Sequence, residues 1–324
     1  MGISLKSAKE LMQLEGEDLQ ELFKAARKIK EDITGRNVNF YFTGNRFPAI
    51  SLTGGSCALS CKHCEGHMLD GVHWARKNKE LVRKVVSFEK RGALGCLITG
   101  GCRPDGTVPI DEFTDAIMTL KRETGLFLLA HTGIIDYSSA KALKEAGLDG
   151  VSLDIVGNAM TTKKVYGIEI GPEKYKSSLV SLEKVGFEVI SPHICVGLDF
   201  GNVFHELEAL EIISSIAPTT IEIIALMPIR GTPMENFLPN PMDVAKIIAI
   251  AQLCFPKTPI TLGCAHSRGS GRAQIEELAL NAGVSSIALP TPKTEKLALV
   301  MGYDTTKIET CCAVPGIQNL AGRI

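Results

Sequence analysis

From Ala49 onward the chain alternates two kinds of stretch. A polar segment of helical character ends at a glycine, and a short run that is apolar on both faces follows it. The phrase recurs in EKRGALGCLITGG, RETGLFLLAHT, LKEAGLDGVSLDI, LEKVGFEVISPHICVG and LNAGVSSIALP. Gly92, Gly125, Gly147, Gly186 and Gly283 stand where a helix end turns left-handed. Runs without a polar face are the pattern of buried parallel strands. TTIEIIALMP and TPITLGCA add two more strands, and PAISLTGG supplies the first. About eight strands alternating with helices over roughly 250 residues match an α/β fold, a single (β/α)8 TIM-type barrel. An open, doubly wound sheet is the alternative. Ahead of it, Ser7–Thr34 reads as helix, with Leu19, Leu22, Phe23, Ala26, Ile29 and Ile33 facing the barrel exterior. The expected organisation is an N-terminal helical extension (1–46), the barrel (47–292), and a C-terminal helix and cysteine-containing tail over the barrel (293–324).

The chain has 324 residues, 45% hydrophobic and 22% charged, enough for a large core. A formal net charge of −1 and the lack of any basic–aromatic stripe argue against nucleic acid or an anionic membrane as partner. No apolar run approaches the ~20 residues that cross a bilayer. The opening MGISLKSAKELMQLEG lacks the apolar core of a secretory signal, and Lys6 stands where an N-myristoylation motif has Ser or Thr. The expected location is the cytoplasm. Ten cysteines are many for such a chain, and metal or redox chemistry accounts for some of them better than disulfides do.

Three of the ten lie in GGSCALSCKHCEGH, as Cys57-x3-Cys61-x2-Cys64, directly after the first strand. In a barrel that is the C-terminal face, where active sites form. Small residues around them let the loop wrap three thiolates onto one centre. Structural zinc uses four ligands, usually as two separated pairs, and no second pair matches, although His63 or His67 offers a nitrogen. A dithiol reading of Cys61 and Cys64 leaves Cys57 unused. A four-iron cluster on three cysteines leaves one iron open for a small molecule.

With that spacing after a first barrel strand, the chain resembles the radical S-adenosylmethionine (SAM) superfamily, and within it the biotin-synthase branch. The resemblance implies a [4Fe-4S] cluster on Cys57, Cys61 and Cys64. S-adenosyl-L-methionine would be chelated by the open iron and cleaved to a 5′-deoxyadenosyl radical. It also implies that His63 packs against adenine and that Gly100 and Gly101 of CLITGG hold the methionine moiety. Ser152 and Asp154 of VSLDIVGN would lie near ribose and substrate, and Asp154 is the residue expected to act in catalysis. Val196, Gly197 and Leu198 of ICVGLDFG would lie along the adenosyl group, as would Met227 and Pro228 of IIALMPIRGTPMEN. Independently of the resemblance, a carboxylate in an apolar strand is costly to bury and is kept for a reason. Cys102 stands where the family often has an acidic residue.

Cys102, Cys195 and Cys264 fall toward C-terminal strand ends, and Cys311–Cys312 lies near the chain's end. In biotin synthase, cysteines on comparable strands hold a second cluster that is consumed as sulfur donor. The third-strand cysteine of that pattern is missing here, and His131 stands nearby. Cys102, Cys195, Cys264, Cys311 and Cys312 are therefore the candidates for an auxiliary cluster of different make-up. Cys96 and Cys254 read as buried thiols. Arg268 and Arg272, after the seventh strand, suit an anionic group. The likeness extends to one subunit of the two-protein lipoyl synthases. It implies sulfur insertion into an octanoyl group on a lipoyl-carrier domain or a small acyl substrate, a second radical SAM partner, and an electron donor such as ferredoxin or flavodoxin. A radical cofactor maturase or rearranging enzyme without sulfur insertion, and a non-enzymatic zinc or iron–sulfur scaffold, are the alternatives.

Overall fold

The computed structural model describes residues 4–266 and 270–314. Eleven strands form one parallel sheet: β1 (Asn37–Tyr41), β2 (Ala49–Ser51), β3 (His73–Trp74), β4 (Gly95–Thr99), β5 (Phe127–His131), β6 (Gly150–Asp154), β7 (Val189–Val196), β8 (Ile221–Ala225), β9 (Ile260–Leu262), β10 (Ser286–Ala288) and β11 (Asp304–Ile308). Their spatial order is β11-β1-β10-β9-β8-β7-β6-β5-β4-β2-β3. The eight expected strands are β2 and β4 to β10. The fold is TIM-like, but the sheet is not a closed eight-strand cylinder. Among the described residues its edges are β3 and β11, with no ladder joining them.

The three additional strands have local causes. In β1, Val38 and Phe40 are fully buried and alternate with the polar Asn37 and Asn39, a period of two that polar helix-like surroundings masked. It pairs with β10 on one side and β11 on the other. The N-terminal extension is therefore helical only to Thr34, and its last part belongs to the sheet. The helix itself is two, Leu5–Met12 and Gly16–Thr34. Leu19, Leu22, Phe23 and Ala26 are buried as expected, whereas Ile33 is exposed. These helices cover the helix Pro241–Cys254, which explains why almost every residue of that helix is buried. Gly92, Gly147, Gly186 and Gly283 have positive φ, and Gly125 does not.

The C-terminal tail departs most from expectation. After the helix Pro292–Val300 and β11, its described part, 311–314, turns against the concave side of the sheet. Ala313 and Val314 pack with Phe47, Phe127, Leu129 and Val189, and Cys312 packs with Tyr41, Ala288 and Ile308. Phe127 and Leu129 alternate along β5 with Leu128 and Ala130, which join the main core beneath the helices. The described part of the tail therefore packs against the concave side of the sheet. No helix among the described residues is long and apolar enough to cross a membrane.

Candidate active site

The loop after β2 is built around Cys57, Cys61 and Cys64. Thr53 Oγ1 donates to the Ser56 carbonyl at 2.7 Å and accepts the Gly101 N–H at 2.8 Å. The Ala58 N–H donates to the Cys102 carbonyl (2.9 Å) and the Lys62 N–H to the Val165 carbonyl (2.8 Å). The N–H groups of Cys64 and Glu65 both donate to the Cys61 carbonyl, so the last two cysteines share one tight turn. Sulfur atoms of Cys61 and Cys64 and one ring nitrogen of His63 lie within 4.8 Å of one another. The Cys102 N–H points at Cys57 Sγ, 3.3 Å away. Cys57 and Cys64 are held below the ordinary thiol range, by hydrogen bonds from Cys102 and Cys61 respectively, and those two partners are pushed up.

Close approach explains Gly101. A Cβ there would lie 2.1 Å from the Ser56 oxygen and 2.5 Å from Cys57 Cα, so the end of β4 meets the loop backbone to backbone. On the opposite side, the His63 ring meets Tyr166 edge-on at 5.4 Å. His63 Nδ1 is buried without a hydrogen-bond partner among the described residues.

A line of polar side chains crosses the interior below this loop. His131 Nδ1 lies 3.2 Å from Ser152 Oγ, and His131 Nε2 lies 3.5 Å from Asp154 Oδ2. Asp154 Oδ1 is 3.7 Å from His193 Nδ1, and His193 Nε2 is 3.4 Å from Glu222 Oε2. The same Glu222 oxygen is 3.4 Å from Cys312 Sγ. The thiols of Cys264 and Cys311 lie close enough to Cys312 to act on it electrostatically. Burial alone would raise Asp154, but His131 and His193 outweigh it and hold it well below the usual carboxylate range. Burial would lower His193, but Glu222 and Asp154 raise it to about 9. Alternation along β7 puts His193 and Cys195 on the inner face, and Val196 turns outward into the main core with Leu198.

The loop after β7 is held by Glu206, whose side chain is fully buried. Its carboxylate accepts the N–H groups of Gly197 (2.8 Å), Phe204 (2.7 Å) and His205 (3.0 Å). The Leu226 N–H donates to the Val196 carbonyl at 3.0 Å, which ties the chain just before Met227 and Pro228 to that loop. Met227 and Pro228 are half-buried at the end of β8.

Two family models match this chain. The radical SAM superfamily covers residues 51–211, and the biotin and thiamin synthesis associated domain covers residues 223–313. The biotin synthase of Neorickettsia sennetsu is 30% identical over 287 residues, 81% of this chain and 84% of the relative. The chain belongs to the biotin-synthase-like branch of the radical SAM superfamily. The biotin synthase of Pelotomaculum thermopropionicum is 29% identical over 299 residues, with 88% of this chain and 87% of that protein covered. Among solved structures, the FeFe-hydrogenase maturase HydG from Carboxydothermus hydrogenoformans superposes with a TM-score of 0.70 at 18% identity, covering 94% of this chain and 76% of that one. Methylornithine synthase (PylB) gives a TM-score of 0.66 at 18% identity, covering 94% of both chains. These two likenesses show the fold.

The family implies a [4Fe-4S] cluster and SAM, and the residues fit them. The loop carries three soft thiol donors, Cys61 and Cys64 set close to a ring nitrogen of His63 and Cys57 near enough to act electrostatically on both. The candidate auxiliary cysteines divide. Cys311 and Cys312 enter the concave side of the sheet, and the exposed Cys264 lies near Cys312. Cys102 is placed elsewhere, beside Cys57, because the strand that carries it abuts the cluster loop. Cys195 is hydrogen-bonded to no thiol among the described residues, and its nearest charged neighbours are Asp154 and Glu206. Arg272 is turned away from any ligand: it donates to Glu276 at 2.9 Å and to the Leu289 carbonyl. Arg268 lies outside the described residues.

Sequence reading missed Tyr166, Glu206 and Glu222. For Glu222 a signal existed, since TTIEIIALMP sets one carboxylate in an apolar strand, the same anomaly that singles out Asp154. Glu206 reads as an ordinary first-turn acid of the helix Glu206–Ile213.

Proposed function

We propose that this radical SAM enzyme forms a carbon–sulfur bond at an unactivated carbon of an acyl chain, in the manner of a lipoyl synthase. The substrate class is an octanoyl group on a lipoyl-carrier domain, and a second radical SAM protein makes the other bond. The observation that supports this reading is that Cys311 and Cys312 enter the concave side of the sheet and lie near the exposed thiol of Cys264, in a group separate from the Cys57–Cys61–Cys64 loop.

Cys57, Cys61 and Cys64 would hold a [4Fe-4S] cluster that, with SAM bound, supplies an electron and so releases a 5′-deoxyadenosyl radical able to abstract hydrogen from an unreactive C–H bond. The three interior thiols would hold a second iron–sulfur cluster as source of sulfur. His63 and Tyr166 form a wall for adenine. Asp154, fixed between two imidazoles, presents a charged acceptor to ribose hydroxyls. Glu206 keeps the Gly197 loop in one conformation by its three amide bonds. Phe127, Leu129 and Val189, packed with the tail, seal the inner end of the cavity and keep water from the radical.

The test is an anaerobic incubation with reduced flavodoxin or ferredoxin, SAM, an octanoylated carrier peptide and the partner protein. A thiolated octanoyl product supports the assignment; deoxyadenosine without that product rejects this substrate. Iron and sulfide counts separate the neighbouring chemistry: about eight irons per chain accompany sulfur insertion, and about four accompany a maturase-type enzyme.

A further inference from the structure

Glu222 is buried in a place that does not satisfy it. Its side chain is 3% exposed. Oε1 has no hydrogen-bond partner among the described residues. Oε2 has His193 Nε2 at ion-pair distance, and that nitrogen makes no aligned hydrogen bond either. The imidazole is also shared, since Asp154 lies at its other nitrogen. Two carboxylates thus compete for one ring, and the second is left short of a donor. Apart from the weak Cys312 thiol donor, this leaves the buried carboxylate under-satisfied, an unfavourable arrangement.

The backbone nevertheless makes room for it. A Cβ on Gly263, in the neighbouring chain just after β9, would stand 2.9 Å from Glu222 Oε2 and 2.7 Å from Ile224 Cγ2. The carboxylate fits only because that position is glycine. One residue further on is Cys264. Cys312 Sγ donates to Glu222 Oε2 at 3.4 Å, Cys311 is its chain neighbour on the same side of the sheet, and the exposed Cys264 thiol is close enough to act on it electrostatically. Three thiols and one underused oxygen donor therefore face one region. Three thiolates leave one iron of a four-iron cluster without a protein ligand. Iron also accepts carboxylate oxygen, as non-haem sites do. His193 is less suited to that place, because both of its nitrogens already face carboxylates. Instead it orients Glu222, while Ser152, His131 and Asp154 orient His193, an arrangement typical of the groups that surround metal ligands.

We propose that Glu222 is the fourth ligand, through oxygen, of an iron–sulfur cluster held by Cys264, Cys311 and Cys312. This rests on the reading above that a second cluster exists. It differs from an all-thiolate site in giving one iron a harder, more readily exchanged ligand.

The experiment uses the full chain with Cys57, Cys61 and Cys64 all replaced by Ala, reconstituted anaerobically with ⁵⁷Fe and sulfide. About four irons per chain and a reducible EPR signal are expected to remain. If no cluster is retained, the second-cluster reading fails, and this inference with it. With the cluster retained, Glu222→Gln is added, and Mössbauer and EPR spectra are compared. A change confined to one iron subsite, or loss of the cluster that Glu222→Cys restores with an all-thiolate signature, supports the assignment. Unchanged spectra in Glu222→Gln overturn it and leave the second cluster standing. Loss that Glu222→Cys does not restore overturns it as well.

Discussion

Gly100 and Gly101 are neighbours in sequence, yet they should respond very differently to one added methyl group. At Gly100 a Cβ would meet Thr53 and Val108 side chains at 3.3–3.4 Å, which a small rotation relieves. At Gly101 it would meet the Ser56 oxygen at 2.1 Å, Cys57 Cα at 2.5 Å and Cys57 Cβ at 2.7 Å. Carbon atoms settle about 3.5 Å or more apart, so the Cys57 segment must retreat by about 1 Å. Two of the three obstructing atoms are backbone, and no rotamer change removes them. Metal–ligand distances tolerate about 0.2 Å, so a shift of that size takes Cys57 out of coordination. The overpacking itself costs about 1–3 kcal/mol. The displaced loop also strains the Gly101–Thr53 and Cys102–Cys57 hydrogen bonds, each worth about 1 kcal/mol. The assay is anaerobic reconstitution followed by iron analysis and deoxyadenosine formation from SAM. Gly101→Ala should lose about four irons per chain and nearly all cleavage, and Gly100→Ala should keep both within about twofold. Full iron and parental turnover in Gly101→Ala would refute the reasoning.

Other outcomes follow from the same geometry. Cys264→Ser should remove about half of the bound iron and all carbon–sulfur bond formation, while SAM cleavage continues; loss of both activities together would contradict two separate thiol sites. Glu276, fully buried, takes hydrogen bonds from Thr291, Thr294, Arg272 and His266, so Glu276→Ala should cost about 3–5 kcal/mol in urea unfolding. In the metal-free protein, His193 is raised to about 9 by Glu222 and Asp154 against the effect of burial. Its stabilising contribution is therefore complete below the ordinary histidine value and disappears as pH rises through about 9. Asp154→Asn should lower that upper limit, read from the His193 ring protons by NMR. Glu206→Ala should weaken SAM binding by about tenfold in calorimetry, through loss of order in the Gly197 loop.

The parts of this protein legible in its sequence are those encoded locally. The Cys57–Cys61–Cys64 spacing, the repeated glycine-ended helices and the apolar strands each occupy a short window. The carboxylate of Asp154 declares itself by being out of place in its strand. What stayed hidden depends on distant segments meeting. Cys311 and Cys312 give no local hint that they enter the sheet's interior, because the partners that draw them there, Phe47, Phe127 and Val189, are scattered through the chain. Cys102 looked equivalent to Cys264, both being at strand ends. Only the docking of β4 against the loop after β2 separates them. The short strand β1 escaped notice because its inward residues, Asn39 and Tyr41, are half polar. The expected single helix at the N-terminus breaks at Gln13–Glu15, just before Gly16, whose φ of 56° is left-handed.

The tail's position carries a consequence for how the molecule comes into being. Most of what surrounds Cys57, from Thr53 to Cys102, is made early with β2 and β4, and only Val165 and Tyr166 reach the loop from mid-chain. The interior thiols are drawn from the far end: Cys264 must wait for β11 to pair with β1, since only then do Cys311 and Cys312 arrive beside it. One set of thiols is thus a product of nearby contacts, the other of distant segments meeting. During synthesis the first can form while the second does not yet exist. The proposed second cluster would therefore have no place to assemble until β11 has joined the sheet.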